Sequence, residues 1–185
     1  MPLNADSIIT TVGASDSNSY VTLAEYAAYR DLNRINADAF DAASPDDKVR
    51  SLVMAAKRLN RLNWRGGKAD GNQALAWPRL EVPVRDSSLV GVGSYTLDYY
   101  ANNTLGFFGD YYPGDSVPQI IKDAQCELAI AYLEGFESSE GQQIKRFVAD
   151  GVTIEYGTTA RSGELPVAVR QMVSGMLVGE RLVRA

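Results

Sequence analysis

Four stretches of the chain carry a helical apolar rhythm, and one carries a two-residue alternation. The first helical stretch opens at Thr22: Thr22 and Glu25 form a T-x-x-E capping box, with Val21 and Tyr26 at the flanking staple positions. It is expected to run to about Asn33, with Leu23, Tyr26, Ala27 and Leu32 as its apolar stripe. The second start is stronger. Ser44 suits the N-cap, Pro45 the first helical position, and Asp46 and Asp47 complement the positive end of the helix dipole. Val49, Leu52, Val53, Ala56 and Leu59 then follow the i, i+3, i+4, i+7 rule, which predicts a helix over 45–63 ended by Gly66 and Gly67.

Pro118 restarts a helix whose apolar face (Ile120, Ile121, Ala124, Leu128, Ala131, Tyr132) reaches about Leu133, where Gly135 can end it. Another begins at Pro166, with Val169, Met172, Val173, Met176 and Leu177 along one side. Between these two, I-K-R-F-V-A and V-T-I-E-Y flank Asp150-Gly151, the strongest short-range signal for a two-residue hairpin turn. Ile8 to Val12 can pair as a short strand or lie against a neighbour. The expected fold class is mainly α, of the α+β kind. It is a four-helix-bundle-like single domain over 1–185 with one β-hairpin and an aromatic-rich loop insertion at about 81–116.

The loop after the second helix reads W-R-G-G-K-A-D-G-N-Q-A-L-A-W-P-R, from Trp64 to Arg79, and holds both tryptophans of the chain. Trp64 is followed directly by Arg65, and Trp77 by Pro78 and Arg79. A buried indole needs a partner for its N–H. Two of them bracketing a loop point to a packed connection, with Trp64, Arg65, Trp77 and Arg79 as anchors; simple plugging of a helical core is the plainer alternative.

Composition removes several chemistries. There is no histidine and one cysteine, Cys126, so His-based triads, most zinc sites and an intramolecular disulfide are excluded. Cys126 lies among Ala124, Leu128 and Ala129 and reads as a buried, inert thiol. No phosphate-binding glycine loop and no spaced carboxylate pair stands out, so neither an enzyme nor a cofactor or metal is expected. No run approaches the ~20 apolar residues of a membrane span. The first residues lack a secretory pattern, so no membrane role is expected and residence in the cytoplasm is the default.

The net charge of −5 is unevenly spread. Residues 1–85 carry 11 basic and 10 acidic side chains; residues 86–115 carry four aspartates and no Lys or Arg; residues 116–185 carry 7 basic and 9 acidic. Within the first block, Arg50, Lys57 and Arg61 fall within about 40° of one another on the second helix. They are candidates for a stripe facing DNA or an acidic partner, or simply a solvated face, since no aromatic is interleaved with them in sequence. Seven aromatics, Tyr95, Tyr99, Tyr100, Phe107, Phe108, Tyr111 and Tyr112, crowd into the acidic block. Base stacking needs a cationic groove alongside. Without one, these rings suggest a protein interface, or a self-packed flap.

N-S-Y-V-T-L-A-E-Y from Asn18, W-R-G from Trp64, Q-A-L-A-W-P-R from Gln73 and V-P-Q-I-I-K-D-A-Q-C-E-L-A from Val117 together resemble a family of small tailed-phage proteins labelled DnaT-like single-stranded-DNA-binding proteins. Size and element order also resemble the head–tail adaptor (head-completion) proteins of tailed phages. The shared cassette comprises Trp64, Arg65, Gly66, Gln73, Trp77, Pro78 and Arg79, to which the resemblance assigns no chemical role. The adaptor resemblance implies a structural virion protein at the head–tail interface, assembled in the host cytoplasm as a ring of itself, of about 12 copies. It would contact the portal protein on one side and a tail-side connector or tail terminator on the other, with packaged double-stranded DNA passing through unbound. An acidic balance suits such a channel wall, so the adaptor is the first expectation. A single-stranded-DNA-binding replication protein is the alternative.

Overall fold

The computed structural model describes residues 5–35, 38–84, 111–136, 147–149, 152–154 and 165–178. The described elements are helices α1 (Leu23–Asn33), α2 (Asp38–Ala42), α3 (Pro45–Asn60), α4 (Gln119–Leu133) and α5 (Val167–Val173). With them are short 3-10 turns at Ala5–Ser7 and Ser174–Met176. Strands β1 (Gly67–Lys68) and β2 (Arg79–Leu80) pair antiparallel, as do β3 (Phe147–Ala149) and β4 (Val152–Ile154). The fold is α+β. Its helices number five among the described residues rather than four, because α2, which carries no sequence periodicity of its own length, forms a short turn ahead of Ser44.

The core is a central pair, α3 against α4, with α1, α2 and α5 packed on α4. Leu52, Ala55, Ala56 and Leu59 of α3 share one buried cluster with Ile121, Ala124, Leu128 and Ala129 of α4. Cys126 is buried with them, and burial pushes its thiol up to about 12. Gln125 is wholly buried and fully used. It accepts the Tyr20 N–H at 2.8 Å and donates to Ser19 Oγ and to the Leu52 carbonyl, so one amide ties the N-terminal arm, α3 and α4 together.

Local capping follows the sequence. Thr22 Oγ1 accepts the Glu25 N–H and the Glu25 carboxylate accepts the Thr22 N–H, closing the box. Ser44 Oγ accepts the Asp47 N–H at the head of α3. Three expectations need correction. Leu32 is 85% exposed: nine residues beyond Leu23 amount to half a turn, so it lies opposite the stripe. α3 ends at Asn60, because the side chain of Asn60 is drawn into the following loop, donating to Ala74 O and accepting from the Ala76 N–H. Ile8 to Thr11 forms no strand; Asn18 holds it as a loop, its amide accepting the Ile9 N–H and donating to Ser7 O.

Strands β3 and β4 pair with Ala149 opposite Val152, leaving two residues between them as the hairpin signature requires. The turn itself, Asp150-Gly151, lies outside the described residues, as does the segment 85–110. Both stems of that segment are fixed. Pro83 bridges Tyr111, the Tyr112 N–H donates to Val82 O at 3.0 Å, and Val82 is wholly buried.

Candidate nucleic-acid interface

An open groove of about 920 Å³ runs between α3 and the C-terminal end of α4, with α2 along one side. Its α3 wall presents Arg50, Met54, Lys57, Arg58 and Arg61. Positions 50, 54, 57 and 61 are spaced i, i+4, i+7, i+11 and so share one face of the helix. Among the described residues Lys57 and Arg61 take part in no salt bridge, and both are exposed. Arg50 is different. Its guanidinium lies 3.6 Å from Asp46 and 3.0 Å from Asp47, so the N-terminal end of the stripe is neutralised within the helix. The Ser44 hydroxyl beside Asp47, followed by Arg50, holds that carboxyl below its ordinary range and keeps the pair ionised. Positive charge therefore concentrates toward Lys57, Arg58 and Arg61.

The opposite wall supplies what the sequence stripe lacks. Tyr132 and Phe136 both line the groove, their ring centroids 6.3 Å apart with planes inclined at 46°. Their placement comes from one glycine. Gly135 adopts φ 88°, its N–H donates to Tyr132 O at 3.1 Å, and the Phe136 N–H reaches back to Ala131 O at 2.8 Å. This is the Schellman ending of a helix, which folds the next residue back over the last turn. Phe136 is thereby set beside Tyr132 instead of continuing away from it. Tyr132 is half-buried: it packs against the core, as its periodicity implies, and also lines the groove. Burial raises the pKa of its hydroxyl, while the charges of Arg58 and Arg61 pull the other way, so those cations act across the groove on this ring.

The Trp64–Arg79 cassette is a folding unit away from the groove. Trp64 donates its indole N–H to Leu59 O at 2.8 Å and stacks edge-on against Trp77, 5.6 Å between centroids. Trp77 meets Tyr112 edge-on at 6.0 Å. Arg79 lies across the loop and donates to the carbonyls of Arg65 (2.7 Å), Gly66 (2.6 Å) and Ala76 (3.2 Å). Arg65 clamps the C-terminal segment, its backbone N–H donating to Met176 O and its Nε to Leu177 O. Gln73 is buried and bonds Leu75 O and Pro78 O. The side chains of Trp64, Gln73 and Arg79 thus satisfy backbone carbonyls in and beside the loop.

Of the seven aromatics in the acidic block, Tyr95, Tyr99, Tyr100, Phe107 and Phe108 lie outside the described residues. Tyr111 is 53% exposed, whereas Tyr112 is engaged within the fold by Trp77. The lack of an aromatic beside the basic stripe, true of the linear sequence, is overturned in three dimensions: the rings arrive from α4, some 70 residues later. Among the described residues no cluster of three or more Cys, Asp or Glu is arranged to hold a metal ion.

A family model described as "Putative DnaT-like ssDNA binding protein" matches residues 7–90 and 102–185, nearly the whole chain. The chain belongs to this family. No curated protein and no solved structure matches it. The match leaves residues 91–101, inside the loop expected at about 81–116, uncovered.

Proposed function

We propose that the groove between α3 and the end of α4 binds single-stranded nucleic acid, with phosphates against α3 and bases against Tyr132 and Phe136. One observation carries this reading: the groove has a cationic wall (Lys57, Arg58, Arg61) facing an aromatic wall (Tyr132, Phe136). Sites for single strands combine a positive track for the backbone with rings on which bases stack. A duplex keeps its base faces stacked inside, so rings on a groove wall serve only unpaired bases. The family description points the same way. The net charge of −5 does not oppose it, because exposed charges more than ~10 Å away are largely screened at 0.1 M salt, so the local lining governs.

The adaptor reading stands second. It draws on the acidic, ring-rich block 86–115, and absence of oligonucleotide binding would return it to first place. Fluorescence anisotropy of a labelled single-stranded oligonucleotide across a salt series tests the proposal. Each phosphate contact on a single strand contributes about −0.7 to the slope of log K against log salt, so the Lys57→Ala/Arg61→Ala variant is expected to flatten the slope by about 1.4. A slope unmoved by that double substitution would place the contact elsewhere.

A further inference from the structure

We infer that the binding unit of this groove is a two-base step: neighbouring bases stacked one on Tyr132 and one on Phe136, with the phosphate joining them facing Lys57 and Arg61. The inference rests on the nucleic-acid reading above and deepens it by naming the smallest ligand the site recognises.

The ring geometry decides the stoichiometry. A single base sandwiched between two rings needs parallel faces separated by about twice the stacking distance, roughly 7 Å from the ~3.4 Å rise per base of a stacked strand. Tyr132 and Phe136 stand closer than that, 6.3 Å between centroids, and are inclined at 46°. A shared base does not fit between them, so each ring serves a base on its own face. Their separation also exceeds the ~3.4 Å step of a stacked strand, so the two bases bind unstacked from each other. Among the described residues lining the groove there is no third ring; apolar Met54 and Leu133, small residues of α2 and α3, and the mutually paired Asp47 and Arg50 make up the rest. The platform is fixed before ligand arrives, because the helix ending at Gly135 sets Phe136 against Tyr132.

The cations come from α3 and the rings from the end of α4, so a strand with bases toward α4 turns its backbone toward α3. Of the cations, Lys57 and Arg61 project from the same face of α3, one turn apart. One internal phosphate, between the base on Tyr132 and the base on Phe136, meets that pair.

Ligand-observed NMR on the full chain tests this with thymidine 5′-monophosphate, d(TpT) and d(TpTpT), and with labelled dT20 as the reference. The monophosphate carries more charge than d(TpT) but one base fewer, so charge and stacking predict opposite orders. The two-base step predicts that d(TpT) binds at least about fivefold tighter, the lower end of what one stacked base contributes. A third nucleotide should add less than about twofold. Phe136→Leu, which keeps the apolar contact but removes the ring face, should bring d(TpT) down to the monophosphate level, and Tyr132→Ala should do the same. The inference is overturned if the monophosphate binds as tightly as d(TpT), if affinity climbs in equal steps through the third nucleotide, or if Phe136→Leu leaves d(TpT) unaffected. Should dT20 itself fail to bind, the nucleic-acid reading falls and takes the two-base step with it. If dT20 binds but d(TpT) does not exceed the monophosphate, only the two-base step is lost.

Discussion

Reversing Lys57 and Arg61 together to glutamate is expected to weaken single-stranded oligonucleotide binding at ~50 mM salt by at least about 100-fold. Placing like charges opposite each other costs several kcal/mol, and each 1.4 kcal/mol is tenfold. Both side chains are exposed and, among the described residues, in no salt bridge, so the thermal transition should stay within a few degrees of the parent. Anisotropy and melting measured on the same preparation separate the two effects. Arg50→Ala offers an internal contrast. Its guanidinium is already held by Asp46 and Asp47, and its loss should change affinity only a few-fold. If the double reversal bound like the parent, the groove would not be the site.

Trp77→Ala is expected to cost about 3–5 kcal/mol of stability, enough to unfold a marginal domain of this size. The side chain is 1% exposed and touches both Trp64 and Tyr112, so its removal empties the junction between the loop and the stem of the following segment. Trp77→Phe should be much milder. The Trp77 indole nitrogen has no hydrogen-bond partner among the described residues, so phenylalanine loses volume but no bond. Trp64→Phe behaves differently, because it leaves the Leu59 carbonyl without its indole donor. Urea denaturation of the three variants checks the order: Trp77→Ala worst, Trp64→Phe intermediate, Trp77→Phe least. Equal losses for all three would mean that only volume matters at this junction.

The sequence speaks most clearly where a local rule is sufficient. Thr22 with Glu25, Ser44 with Pro45, and the apolar rhythm of α3 and α4 each fix an element with their immediate neighbours, and each appears where those residues put it. The contacts of the Trp64–Arg79 loop are local in the same sense: Trp64 and Arg79 donate to carbonyls within about fifteen residues of themselves. The groove is different in kind. Its cations come from one helix and its rings from another, brought together only by the α3–α4 packing, which no short-range pattern encodes. One signal was nevertheless present. Gly135 closing α4 implies a Schellman ending, and that ending returns Phe136 onto Tyr132. Tyr132 thus has two roles, packing against the core and pairing with Phe136 at the helix end. The aromatic block at 86–115 is dense in sequence, yet Tyr112 serves the fold through its edge-on contact with Trp77.

Cross-linking with a single-stranded oligonucleotide carrying 5-iodouracil, followed by mass spectrometry of the adducts, asks most directly where a base rests on this protein. Irradiation joins the modified base to the aromatic ring it stacks on. The adducts should map to Tyr132 and Phe136 and vanish when the salt is raised enough to release the strand. Adducts confined to the Tyr95–Tyr112 segment, or none at a protein concentration that saturates binding, would contradict a groove with rings on one wall and cations on the other.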